Sequence, residues 1–140
     1  MQVKSFAIWA NAEKEQVPAL VQSTIKWAND NNLEVYLADR LKSIDVDSEV
    51  SYFSSQNPPE VDFLLCFGGD GTLISGVRIF SDPSVPVLGV HLGGLGFLAQ
   101  ITPEVLIDKL ESVKNNEFKI QDRLVLSAKI SGNEDSYYAV

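Results

Sequence analysis

Apolar and polar positions follow two rhythms along this chain, and the changes from one to the other mark its elements. Val3 to Trp9 is a short apolar run that stops at Asn11 and reads as a first strand. From Glu13 to Asn29 the apolar residues Val17, Leu20, Val21, Ile25 and Ala28 recur with helical spacing, and the cluster Asn29-Asp30-Asn31-Asn32 ends that stripe. Leu33 to Ala38 predicts a second strand. Residues 42–60 are polar with weak periodicity and end in Asn57-Pro58-Pro59, which predicts loop with room for a short helix or edge strand.

Val61 to Phe67 is nearly all apolar, as a strand covered on both faces must be. Gly71 to Phe80 predicts a helix with Leu73, Ile74, Val77 and Phe80 along one side, ended by Ser81-Asp82-Pro83. Val85 to Val90 predicts another buried strand. Thr102-Pro103-Glu104 then opens a helix, with a hydroxyl cap, a proline in the first turn and an acid at the positive end of the dipole. Its buried stripe is Leu106, Leu110 and Val113. Phe118 to Ile130 ends in alternation, with Leu124, Leu126, Ala128 and Ile130 on one face, and Tyr137-Tyr138-Ala139-Val140 begins a further strand. Strand and helix alternate through most of the chain, which predicts α/β architecture: right-handed crossovers and a mostly parallel sheet with helices on both faces.

Composition adds limits to this picture. The length of 140 residues suits one main domain, and 45% hydrophobic with 21% charged residues is ordinary for a globular chain. A net charge of −8 opposes a general grip on nucleic acid. Small anionic ligands remain open to it, because backbone amides supply local positive potential. Cys66, the only cysteine, lies inside an apolar run and reads as a buried spectator; no intrachain disulfide is possible, and the cytoplasm is the expected compartment. The apolar stretch near the N-terminus is too short for a signal peptide or a membrane span.

The chemistry concentrates in two glycine-rich loops, both predicted beyond the carboxyl ends of strands, where α/β sheets bind their ligands. The first is Gly68-Gly69-Asp70-Gly71-Thr72. An Asp-Gly pair is also ordinary turn chemistry. Here, however, the loop joins a buried strand to a helix start, whose unpaired amides suit an anion, and its glycines let a ligand approach the backbone. It lacks the GxxxxGK[ST] pattern of a Walker A element. Thr72 can offer its hydroxyl to a phosphate or cap the turn. Asp70 can orient a sugar hydroxyl and accept its proton late in phosphoryl transfer, or hold Mg²⁺ through water. A hydroxyl is a far weaker acid than aspartic acid, so positioning should dominate.

The second loop, HLGGLGFLAQ from His91, contains Gly94-Leu95-Gly96-Phe97-Leu98-Ala99, a loose match to the GxGxxA dinucleotide fingerprint without a helix starting inside it. Phe97 can stack on a base or join the core. His91 can donate to a phosphate or serve as a satisfied turn histidine.

Gly68-Gly69-Asp70-Gly71-Thr72 followed by GVHLGGLGFLAQI at 89–101 resembles the N-terminal domain of the NAD kinases. The first motif alone is shared with diacylglycerol- and sphingosine-type lipid kinases and, more loosely, with phosphofructokinases. The resemblance implies a Rossmann-like domain over residues 1–130, with 131–140 beginning a second, β-rich domain. It implies transfer of a phosphoryl group from ATP or polyphosphate to the 2′-hydroxyl of the adenosine ribose of NAD, giving NADP, with Mg²⁺ or another divalent metal whose ligands stay unassigned. Asp70 would be the catalytic acid/base and, with Gly71, would contact NAD. Gly68, Gly69, Thr72 and His91 would lie by the donor phosphates. Phe97 would sit on the adenine side of NAD. Ser75, also placed at the NAD site, stands where many members carry a basic residue. The family motif Asn-Glu or Asn-Asp, which grips NAD, is expected beyond Val140, so the chain by itself is expected to be inactive or nearly so. Full-length members form homodimers or homotetramers, with no membrane or nucleic-acid partner. A lipid kinase with the same acidic glycine turn, or a nucleotide-binding module without catalysis, are the alternatives.

Overall fold

The computed structural model describes residues 2–80, 82, 84–94, 96–99 and 101–139, with the backbone alone for Tyr138. Ser81 and Pro83 of the expected helix stop, Leu95 and Gln100 of the second glycine loop, and Val140 lie outside the described residues. The elements run β1 (Ser5–Ala10), α1 (Val17–Asp30), β2 (Glu34–Ala38), β3 (Ser51–Phe53), β4 (Phe63–Gly68), α2 (Asp70–Ile79), β5 (Val87–His91), α3 (Leu106–Lys114), β6 (Leu126–Lys129) and β7 (Ser136–Ala139). Among the described residues β1 to β5 form one parallel sheet in the order β3-β2-β1-β4-β5.

That order reverses between β1 and β4, so the chain leaves these neighbours in opposite directions. Right-handed crossovers then put α1 and α2 on opposite faces of the sheet. The side chains agree. Phe6, on one face of β1, stacks on Phe63 at 4.9 Å and meets Trp27 of α1 at 6.4 Å. Trp9, on the other face, meets α2 through Ser75. α3 joins α1 on its face: Trp27 Nε1 donates to Glu111 at 2.6 Å, and Lys114 Nζ donates to Asn31 Oδ1 at 2.7 Å. Lys114, then Trp27, hold the Glu111 carboxyl below the usual carboxylate range.

β1 and β4 are almost wholly buried, which explains their continuous apolar runs. Burial pushes the Cys66 thiol upward and keeps it a bystander. Asn32, at φ 56°, takes the left-handed conformation that ends α1, a place asparagine tolerates.

Three expectations change. The buried stripe of α2 includes Gly76, whose missing side chain lets the helix settle onto Trp9, Cys66 and Leu64. Thr102 does not cap a helix with its hydroxyl. It precedes a 3-10 turn at Pro103–Val105, and the hydroxyl bonds the Glu104 carboxyl instead. The alternating face of 124–130 is open: Leu124 is 79% exposed, and Leu126 and Ile130 are each 61% exposed. There β6 pairs with β7 as a separate antiparallel hairpin.

Candidate active site

Both glycine loops emerge from the carboxyl rim beside the sheet's switch point. β4 ends at Gly68, and its neighbour β5 ends at His91, the residue paired with it. Leu92 N–H donates to the Gly68 carbonyl at 2.8 Å, so the second loop begins anchored to the first. It returns where Ile101 bridges Val90, with His91 N–H donating to the Ile101 carbonyl at 2.9 Å.

Asp70 closes the gap between them. As the first residue of α2 it points its carboxylate across the rim, where Phe97 N–H donates to Oδ2 at 2.9 Å. Leu98 and Ala99 N–H donate to Oδ1 at 3.0 and 3.3 Å. These donors hold the Asp70 carboxyl below its ordinary range, Phe97 first, then Leu98 and Ala99, against an opposing effect of desolvation. The arrangement needs a glycine at 96. A Cβ there would run into Asp70 Oδ1 and stand 2.7 Å from its Cγ. Gly68 is under a similar demand from Thr72, whose side chain occupies the space that a Cβ would take.

The rest of the first loop is open. Around Gly69 and Gly71 nothing lies within 4 Å of where a Cβ would be. The first turn of α2 carries no side-chain cap, and its first intrahelical bond runs from Leu73 N–H to the Gly69 carbonyl at 3.1 Å. The N–H groups of Asp70, Gly71 and Thr72 therefore precede the hydrogen-bonded ladder, where a helix attracts anions. Phe97 presents a ring that is 91% exposed. A large aromatic left in water beside an acid and bare amides suits stacking on a planar ligand.

Two residues named from sequence sit differently. Ser75 is occupied inside the fold: its Oγ accepts from Trp9 Nε1 at 2.9 Å and its hydroxyl donates to the Thr72 carbonyl at 2.8 Å. Ser75→Ala should strip the buried indole of its acceptor and cost about 1–3 kcal/mol of folding free energy. Chemical denaturation measures it, and a variant as stable as the original would remove Ser75 from this role. His91 stands at the rim, but its Nδ1 is buried and meets no hydrogen-bond partner among the described residues, and its charge interaction is with Glu104.

The sequence reading missed the contacts behind the loops. Arg40, just after β2, lays its guanidinium 4.2 Å from the centre of the Trp9 ring. Nothing in local spacing signals this, since β1 and β2 become neighbours only in the sheet. A cavity of about 530 Å³ beside β5 takes Leu73 and Leu98 into its lining. Among the described residues no group of three or more His, Cys, Asp or Glu side chains is placed to hold a metal, and no helix is long and apolar enough to cross a membrane.

Comparison with known proteins follows the same lines. The family model of the ATP-NAD kinase N-terminal domain matches residues 6–118. The NAD kinase of Syntrophotalea carbinolica is 37% identical over 128 residues, spanning 91% of this chain and 45% of the relative. That of Sulfurimonas denitrificans is 35% identical over 132 residues, 94% of this chain and 46% of the relative. This chain thus spans about half the length of the curated relatives it matches. Among solved structures, yeast NADH kinase complexed with NADH superposes with a TM-score of 0.77 at 20% identity, covering 99% of this chain and 46% of that one, which shows a shared fold. The chain belongs to the ATP-NAD kinase family, through the N-terminal domain of that family.

Proposed function

We propose that this chain is the nucleotide-binding half of an NAD kinase, which transfers the γ-phosphoryl group of ATP, or a phosphoryl group of polyphosphate, to the 2′-hydroxyl of the adenosine ribose of NAD. The observation that carries this reading is the meeting of both loops on the carboxylate of Asp70. A carboxylate offers roughly four lone-pair sites. The amides take two on Oδ1 and one on Oδ2, which leaves Oδ2 one site for a sugar hydroxyl.

The same amides make the carboxylate a weak base, so its ground-state task is orientation. It receives the proton late, as the hydroxyl oxygen bonds to phosphorus and the leaving phosphate departs. Gly69, Gly71 and the open amides of α2 would accept the phosphates, and Phe97 would lie against the adenine of NAD. Mg²⁺ would arrive with the polyphosphate and be held by phosphate and water oxygens. Its chemistry is to offset charge on the phosphates. The buried thiol of Cys66 suits a reducing compartment, the cytoplasm.

The β6–β7 hairpin is read as the beginning of the second domain, ahead of residue 131, since it forms its own sheet and leaves apolar side chains exposed. The test joins this chain to the second half of the S. carbinolica relative and measures NADP formation with ATP or polyphosphate and Mg²⁺. Activity in the joined protein and little in the 140-residue chain is expected. A correctly folded joined protein with no NADP formation from either donor would overturn the reading.

A further inference from the structure

We propose that Arg40 is a phosphate-binding residue of this site, its guanidinium pre-placed on Trp9 to take a phosphate of the bound nucleotide. The inference rests on the kinase reading and adds a residue to it. Arg40 lies at the carboxyl rim, in the 3-10 turn that follows β2, next to the strand that carries Trp9. Its side chain is exposed, yet it is not left to wander: the guanidinium sits 4.2 Å from the Trp9 ring centre. Trp9 is itself fixed, being 6% exposed and hydrogen-bonded to Ser75, whose hydroxyl bonds the Thr72 carbonyl in the first turn of α2. Arg40 and α2 therefore meet on one rigid indole, Arg40 over its face and Ser75 at its nitrogen.

The charges around Arg40 leave it available. Its neighbour Asp39 pairs with Lys42 at 3.1 Å, and among the described residues the guanidinium meets no acceptor. In a chain of net charge −8, a cation at the ligand rim that meets no acceptor among the described residues is free to meet an anion brought by a ligand. A guanidinium held by its face keeps its N–H donors at its edge, where they can grip a phosphate in a two-pronged manner. Being already ordered, it loses less rotamer freedom on binding than a free side chain would.

The test titrates ATP, tripolyphosphate and NAD into the chain joined to the second half of the S. carbinolica relative and into its Arg40→Gln and Arg40→Lys variants, by calorimetry and by Trp fluorescence. Arg40→Gln is expected to weaken binding about tenfold or more, as loss of a charge-assisted bond does. Arg40→Lys should recover part of it, which a purely structural role in covering Trp9 would not require. Loss confined to ATP and tripolyphosphate puts Arg40 on the donor, and loss confined to NAD puts it on the pyrophosphate of NAD. Equal affinities in all three proteins would overturn the proposal and leave the kinase reading intact. A correctly folded joined protein that binds none of the three ligands overturns both.

Discussion

Asp70→Asn, made in the chain joined to the second half of the S. carbinolica relative, should lower the rate of NADP formation by about 10²–10⁴-fold. Two losses combine. The amide keeps only one oxygen, and it cannot take a proton as the ribose hydroxyl attacks. It also turns an NH₂ group toward one of the backbone donors that the carboxylate now satisfies at Phe97, Leu98 and Ala99. The second glycine loop should loosen, and KM for NAD should rise along with the fall in kcat, because Phe97 rides on that loop. A variant that loses kcat with KM unchanged would confine Asp70 to the chemistry. One that keeps its rate would remove it from the mechanism.

The acid side of the pH profile follows from the same bonds. Phe97, Leu98 and Ala99 depress the carboxyl pKa in the folded chain. A depressed carboxyl contributes its full stability above its unfolded value, and loses it progressively as pH falls from there through the lower folded value. The acid limb of activity assigned to Asp70 should accordingly fall below the ordinary aspartate range. An acid limb at or above that range would contradict the contacts seen here.

Much of this was legible in the residues because it is local. The run ending in Gly68, the acid among glycines and the following helix lie within one stretch, and the alternation of strand with helix dictates the parallel sheet. What was not legible is long-range. Phe97 is 27 residues from Asp70, and no periodicity reveals that the amides of one loop are the ligands of the carboxylate in the other. Read alone, the second glycine loop and the lone acid of the first were separate candidates; in space the amides of one satisfy the carboxylate of the other. Gly76 broke an otherwise readable helix stripe, because a position can face the core by having nothing to place there. Alternation at 124–130 correctly signalled a strand, but alternation says only that one face differs from the other. It cannot supply the surface that would cover Leu126 and Ile130.

Gly96→Ala should lower turnover of the joined protein by about a hundredfold, while lowering the unfolding free energy of this domain only by what the Asp70 bonds contribute at its rim. The added methyl would collide with Asp70 Oδ1 and sit 2.9 Å from Oδ2, closer than carbon tolerates. Either the carboxylate swings off its amides or the loop backs away, and both separate Asp70 from Phe97. Little folding energy is involved, since the collision is with the end of one side chain at an open rim. Gly71→Ala is the contrasting case, because its Cβ meets nothing within 4 Å. In the ligand-free chain Gly96→Ala should shift the amide signals of Phe97, Leu98 and Ala99 and raise their hydrogen exchange, whereas Gly71→Ala should leave them in place and act only when a nucleotide arrives. If Gly96→Ala leaves those amides protected and the rate intact, the two loops do not work as one unit, and the site would have to be built from the α2 terminus alone.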